Sequence, residues 1–357
     1  MWKYFSGSVA FTVAGLAAAA WVGSDGGAAG VASALFIVAV LGVLEVSLSF
    51  DNAVVNATVL AEMDAVWRRR FLTWGIAIAV FGMRIVFPVV IVAVVGDLGP
   101  VEAVQLALTD PGKYAEILTS AHVSVSAFGG AFLALVGLKH FVDTDKEVHW
   151  IGIVERPLAR LGRVEAVQIG LVLALLYGVS TRLQGGEQIE FLVAGIFGLL
   201  TYIAVDGLGA VLGDGAGVSA HGDGAGAAAT GAVARSGLAA FLYLEVLDAS
   251  FSFDGVIGAF ALTTNLVIIA IGLGIGAMFV RSLTILLVDK GTLTEYRYLE
   301  HGAFYAILAL GVIMFLQAFV HIPEVITGLL GAGFIALSLV SSVKHNRAAA
   351  AGGQGGG

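Results

Sequence analysis

The sequence predicts an all-α, polytopic membrane protein: a helical bundle of about ten spans, built on an inverted-topology internal repeat with helices broken at the midplane. Composition is the first ground. Of 357 residues 59% are hydrophobic and 12% charged, about half the ~25% charged share of soluble domains, and the mean hydropathy is +0.96. Length of the apolar runs is the second, since a ~30 Å hydrocarbon layer needs about 20 residues at 1.5 Å each. The third is a set of acids and arginines recurring in register inside those runs.

Taken in order, the spans are predicted near 5–22, 31–60, 71–95, 123–142, 166–183, 190–212, 237–262, 266–288, 302–320 and 324–343. Lys3 followed by Ala17 to Ala20 resembles a signal peptide, but in a multi-spanning chain an uncleaved first helix is the preferred reading. Residues 1–30 form that first span and its connection, and 31–212 a first membrane half. A Gly/Ala-rich linker at 213–235 leads to a second half at 236–343, and 344–357 read as a disordered tail. The glycines near 213–231 do not make a phosphate loop, because no strand precedes them and no Gly-Lys-Ser/Thr follows.

Basic residues set the orientation. With Lys3 in the cytoplasm, Arg68 to Arg70, Lys139, Lys146, Arg156, Arg160, Arg163, Arg235, Lys290, Arg297, Lys344 and Arg347 all fall inside. Among outside cations only Lys113 and Arg182 remain. Both termini are therefore expected in the cytoplasm, and the chain in the cell membrane. The absence of cysteine removes disulfides, thiolate metal sites and cysteine nucleophiles. A thinly spread net charge of −8, with no basic run interleaved with aromatics on the scale of a nucleic-acid surface, argues against DNA or RNA binding.

The repeat lies in spans two and seven. Leu44-Glu45-Val46-Ser47-Leu48-Ser49-Phe50-Asp51-Asn52 parallels Leu247-Asp248-Ala249-Ser250-Phe251-Ser252-Phe253-Asp254-Gly255. Downstream, Gly75 to Arg84 parallels Gly272 to Arg281. The copies are an odd number of spans apart, so they cross in opposite directions, as in transporters whose sites lie where inverted repeats meet. Glu45, Asp51, Asp248, Asp254, Arg84 and Arg281, with Glu245 and Asp206 as further candidates, are costly in lipid, at about 2.5–3.5 kcal/mol each. They must face one another, water or a cation.

Glu45, Ser49 and Asn52 share one helical face, whereas Asp51 is turned about 100° from Asn52. Aiming both acids of a motif at one point calls for a helix break, expected at 47–50 and at 250–253, where freed carbonyls can bind cations. Four acids exceed two arginines, and that surplus suits a cation. Arg84 and Arg281 read equally well as structural counter-ions, and the serines, Ser49 and Ser252 included, as caps or back-bonding groups. Carboxylates, an amide and hydroxyls are hard donors that select Mg, Ca or Mn; buried acids can also carry protons. His122, His140, His149, His221, His301, His321 and His345 show no zinc spacing.

LEVSLSFDN and LDASFSFDG resemble the paired motifs of the TerC-like integral membrane proteins, and most of all a branch known only as a domain of unknown function. The likeness runs over roughly 31–343, with the two motif windows as its specific part. It implies a divalent-cation transporter, manganese efflux above all, associated with tellurium resistance. It also implies that Glu45, Asp51, Asn52, Asp248 and Asp254 are the transport-site positions, with Ser49, Ser252, Arg84 and Arg281 supporting them. Gly255 departs from the pattern where copy one has Asn52, and the basic loop 139–165 makes the chain larger than the usual core.

The expected activity is alternating-access transport, not catalysis, with the bilayer and a metal cation as partners and no resident cofactor. One rival is a non-transporting scaffold recruiting soluble stress-response proteins through loop 139–165. The other is an intramembrane aspartyl protease using Asp206 and Asp214, which lacks the Gly-x-Gly-Asp element of that class.

Overall fold

A computed structural model describes residues 2–75, 77–142, 148–161, 166–214, 237–320 and 322–353. Among them the regular structure is helical throughout. The first part comprises α1 (Trp2–Gly23), α2 (Gly27–Leu48), α3 (Phe50–Glu62), α4 (Ala65–Arg70), π-helical segments at Phe71–Gly75 and Ile78–Val86, and α5 (Phe87–Val95). Then come α6 (Pro100–Thr109), α7 (Pro111–Ser120), α8 (His122–Val142), α9 (Gly152–Leu161), α10 (Ala166–Ser180) and α11 (Gly186–Asp214). The last part holds α12 (Gly237–Phe260), α13 (Leu266–Lys290), α14 (Thr292–Glu295), α15 (Leu299–Gln317) and α16 (Glu324–Gly353).

Every expected span coincides with helical chain. Among the described residues, seven stretches are long and apolar enough to cross a membrane: Trp2–Leu48, which holds both α1 and α2, Ile78–Val95, His122–Val142, Gly186–Leu208, Leu266–Lys290, Leu299–Gln317 and Val325–Ala348. Ala166–Ser180 is apolar but shorter, and α12 interrupts its apolar run with Glu245, Asp248 and Asp254. The protein is a multi-pass membrane helical bundle.

Local chemistry sets the helix ends. Asp64 accepts from the Val66 and Trp67 N–H groups to cap α4, and Asn265 does the same for α13 through Val267 and Ile268. Gly291, at φ 60°, closes α13 in the left-handed region where a side chain is strained. Pro100 and Pro111 open α6 and α7, two short helices between spans that hydropathy alone does not reveal.

Small residues bring the long helices together, as expected where lipid supplies no hydrophobic drive for association. A Cβ on Gly130 would sit 3.2 Å from the Gly311 carbonyl oxygen, which fixes the α8–α15 crossing. α2 packs along α13, and α12 packs along the π-helical segment Ile78–Val86. Each motif helix thus leans on the arginine-bearing segment of the other repeat copy.

Two expectations need correction. The break occurs in copy one only: α2 ends at Leu48, Ser49 turns at φ −103°, ψ 16°, and α3 starts at Phe50. There the Asp51 carboxylate takes the Asn52 backbone N–H, a local alternative to the helical ladder. α12 continues unbroken through 250–253, where the Ser250 hydroxyl merely back-bonds to the Val246 carbonyl. The tail differs too, since α16 runs to Gly353. Its alanine run favours helix, and Asn346 holds it by donating to the Glu295 carbonyl at 2.9 Å. Of the expected linker 213–235, residues 213 and 214 end α11 and the rest lies outside the described residues.

Candidate functional site

The site lies between the two repeat copies. A cavity with about 40 Å³ of room for the centre of a water-sized sphere is lined by Glu45, Ser49, Asn52 and Asn56 from α2–α3, and by Asp248 from α12. Arg84 reaches it from the π-helical segment, Arg281 and Thr284 from α13. That space exceeds the roughly 10–15 Å³ a single water needs.

Glu45 is 2% exposed. It pairs with the Arg84 guanidinium and accepts the Ser49 hydroxyl at 3.0 Å. Arg84 also donates to the Ala79 carbonyl of its own segment. Glycine makes room for this acid: a Cβ on Gly276 would overlap Glu45 Cβ and Cγ, and one on Gly255 would stand 3.3 Å from Oε2. Copy two contributes differently. Asp248 accepts from the Asn52 amide, with the Asn56 amide beside the same carboxylate. Arg281, the counterpart of Arg84, instead donates to the Leu72 carbonyl through Nε at 3.2 Å and Nη2 at 2.7 Å.

The repeat relation extends to the contacts. Gly42 of α2 faces the Gly272 carbonyl oxygen, while Glu245, which occupies the matching place on α12, faces Gly75; a Cβ on Gly75 would lie 2.7 Å from Glu245 Oε1. Among the described residues, both Glu245 carboxylate oxygens, Asn52 Oδ1 and Asn56 Oδ1 are buried without a hydrogen-bond partner. Buried acceptors lacking donors are uncommon, and each calls for an explanation such as water or an ion.

Of the predicted residues, Glu45, Ser49, Asn52, Arg84, Asp248 and Arg281 converge on this cavity. Asp51 does not. It is buried but turns to α16, where a Cβ on Gly331 would meet its Oδ2 at 3.0 Å. Because Asp51 and Asn52 both belong to the regular helix α3, the break at Ser49 cannot aim both at α12. Ser252 is buried, its hydroxyl without a partner among the described residues, and it is not among the cavity's lining residues. The Asp254 side chain lies outside the described residues. Among the described residues no three acidic or histidine side chains gather closely enough to hold a metal ion in this conformation.

Asn56 was not predicted, although its i, i+4 spacing from Asn52 in an apolar run marks it as a partner on the same face. Asp206 belongs elsewhere: both its oxygens accept from Lys139 at 2.7 Å, tying α11 to α8. The Asp214 side chain, the other acid of the protease reading, lies outside the described residues.

No curated protein and no solved structure matches the chain. A family model described as "Protein of unknown function (DUF475)" matches residues 50–349, which include the acids of the second copy and both arginines, and the chain belongs to that family.

Proposed function

We propose that this protein is a transporter of a hard divalent cation, manganese foremost, that moves its substrate through the cavity between the repeat copies by alternating access. The observation that carries the reading is the surplus of buried oxygen. Arg84 neutralises Glu45, yet among the described residues Asn52 Oδ1, Asn56 Oδ1 and both Glu245 oxygens have no donor, and Asp248 is hydrogen-bonded by amides with the Arg84 and Glu45 charges nearby. An amide and carboxylate set of this kind suits oxygen-seeking cations over soft metals. The motif likeness to TerC-like proteins, some of which resemble manganese exporters, points to the same substrate. It also keeps a link to tellurium or metal stress resistance within the proposal.

Among the described residues no acidic or histidine trio is gathered, although Asp248 already lies in hydrogen-bond contact with Asn52. In the proposed cycle the ion takes the place of the Asn52 amide N–H at Asp248, and Glu245 with the Asn52 and Asn56 carbonyl oxygens turns toward it. Asp51, on the α16 side, lies outside that path. The test is manganese flux in proteoliposomes. Asp248→Asn loses a charged ligand and should slow flux by about 10–100-fold. Asp51→Asn should keep it within about threefold, a margin under 1 kcal/mol. Unchanged flux in Asp248→Asn ends the proposal.

A further inference from the structure

α9 follows α8 in the predicted basic loop, and its two faces differ sharply. Glu155 is 1% exposed and pins the inner face. Its carboxylate accepts from the Ile151 N–H at 3.0 Å, the Trp150 N–H at 3.2 Å and the Tyr305 hydroxyl at 3.2 Å. His149 Nδ1 and His301 Nε2 lie 3.4 and 3.6 Å from its other oxygen. Leu158 and Ala159 share this side, half-buried.

The outer face pairs an apolar strip with a cationic one. Ile153 is 91% exposed and Val154 43%, with Pro157 one turn after Ile153 and also exposed. Arg156 and Arg160, one turn apart, flank the strip and are exposed. Among the described residues no carboxylate pairs with either arginine. An aqueous loop gains nothing by holding an isoleucine fully open on a short helix whose other face is locked. An interfacial helix has this composition, with its apolar face about 5–10 Å into the headgroup and acyl boundary.

Depth agrees with that placement. The anchor Tyr305 lies six residues inside the start of the spanning helix α15, about 9 Å along its axis. Trp150, whose ring meets Tyr305 edge-on at 5.7 Å, is an interfacial residue type at the same level.

We propose that α9 lies in the plane of the membrane and docks on anionic phospholipid of the leaflet facing the basic loops. Ile153 and Val154 enter the acyl boundary, and Arg156 and Arg160 hold lipid phosphates. The inference is independent of the transport reading. Because the chain has no cysteine, Ile153→Cys can carry a single nitroxide on the full chain in phosphatidylcholine bilayers containing phosphatidylglycerol. Its relaxation should respond to oxygen and resist a water-soluble nickel chelate, like a label at Leu337→Cys on the exposed face of α16 and unlike one at Ser24→Cys. In native mass spectra, Arg156→Gln with Arg160→Gln should weaken the tightest retained phosphatidylglycerol by about 30-fold. Nickel access at position 153 equal to that at position 24 overturns the proposal. So does undiminished lipid retention in the double variant, or shielding of the label that appears only when a soluble protein is added.

Discussion

Glu45 and Arg84 form a fully buried carboxylate–guanidinium pair, and each determines what the other costs. Removing one member of such a pair strands a charge, and buried pairs broken in this way lose about 3–5 kcal/mol. Glu45→Gln should therefore lower the thermal midpoint of the detergent-solubilised protein markedly. Adding Arg84→Gln should restore most of the loss, because the orphaned guanidinium goes with it. Additive losses in the double variant would mean that the two side chains act independently. The same logic separates Glu45 from Asp248. The first acid is neutralised by an arginine and structural in this conformation. The second is hydrogen-bonded by amides rather than ion-paired, and it is the acid that the proposed function assigns to substrate.

At the scale of elements, the glycines carry as much of the site as the acids do. Gly276 lets α13 press against the stem of Glu45. Gly276→Ala should separate α2 from α13 and destabilise by about 1–3 kcal/mol. Gly207→Ala, with nothing within 4 Å of the new Cβ, should be neutral or slightly stabilising. Melting curves of the two variants distinguish them. Helices and acids were legible in the sequence because both follow from single residues: apolar length gives the span, and an acid inside it demands a partner. The shared face of Glu45, Ser49 and Asn52 was legible for the same reason, as was the meeting of the two copies. What escaped depends on details that periodicity does not encode. Asp51 reaches its own helix start and turns to α16 because its backbone sits in regular α3. Ser250 satisfies a local carbonyl, so α12 stays whole where its counterpart breaks. Asn56 lay in plain view one turn beyond Asn52, but an uncharged amide gives a weaker signal than a carboxylate.

Across the whole molecule, the copies share a sequence pattern while their arginines occupy different states. Arg84 pairs with the acid of its own copy, whereas Arg281 rests on the Leu72 carbonyl and leaves Asp248 to Asn52. In an inverted repeat, exchanging the two conformations generates the oppositely open state. Under the transport cycle proposed above, Arg281 would turn to Asp248 once the ion has left, standing in for it while the empty carrier reorients. Without that stand-in, an uncompensated carboxylate must cross the occluded state, at a cost of several kcal/mol. Arg281→Gln should therefore slow net manganese efflux from proteoliposomes by at least about tenfold. Exchange of manganese for manganese never passes through the empty carrier, and it should stay within about twofold of wild type. Isotope counterflow measured beside net efflux on the same vesicles separates the two steps. Parallel loss of both would return Arg281 to a purely structural role, while loss of efflux alone ties the arginine asymmetry of the repeat to the return step of the cycle.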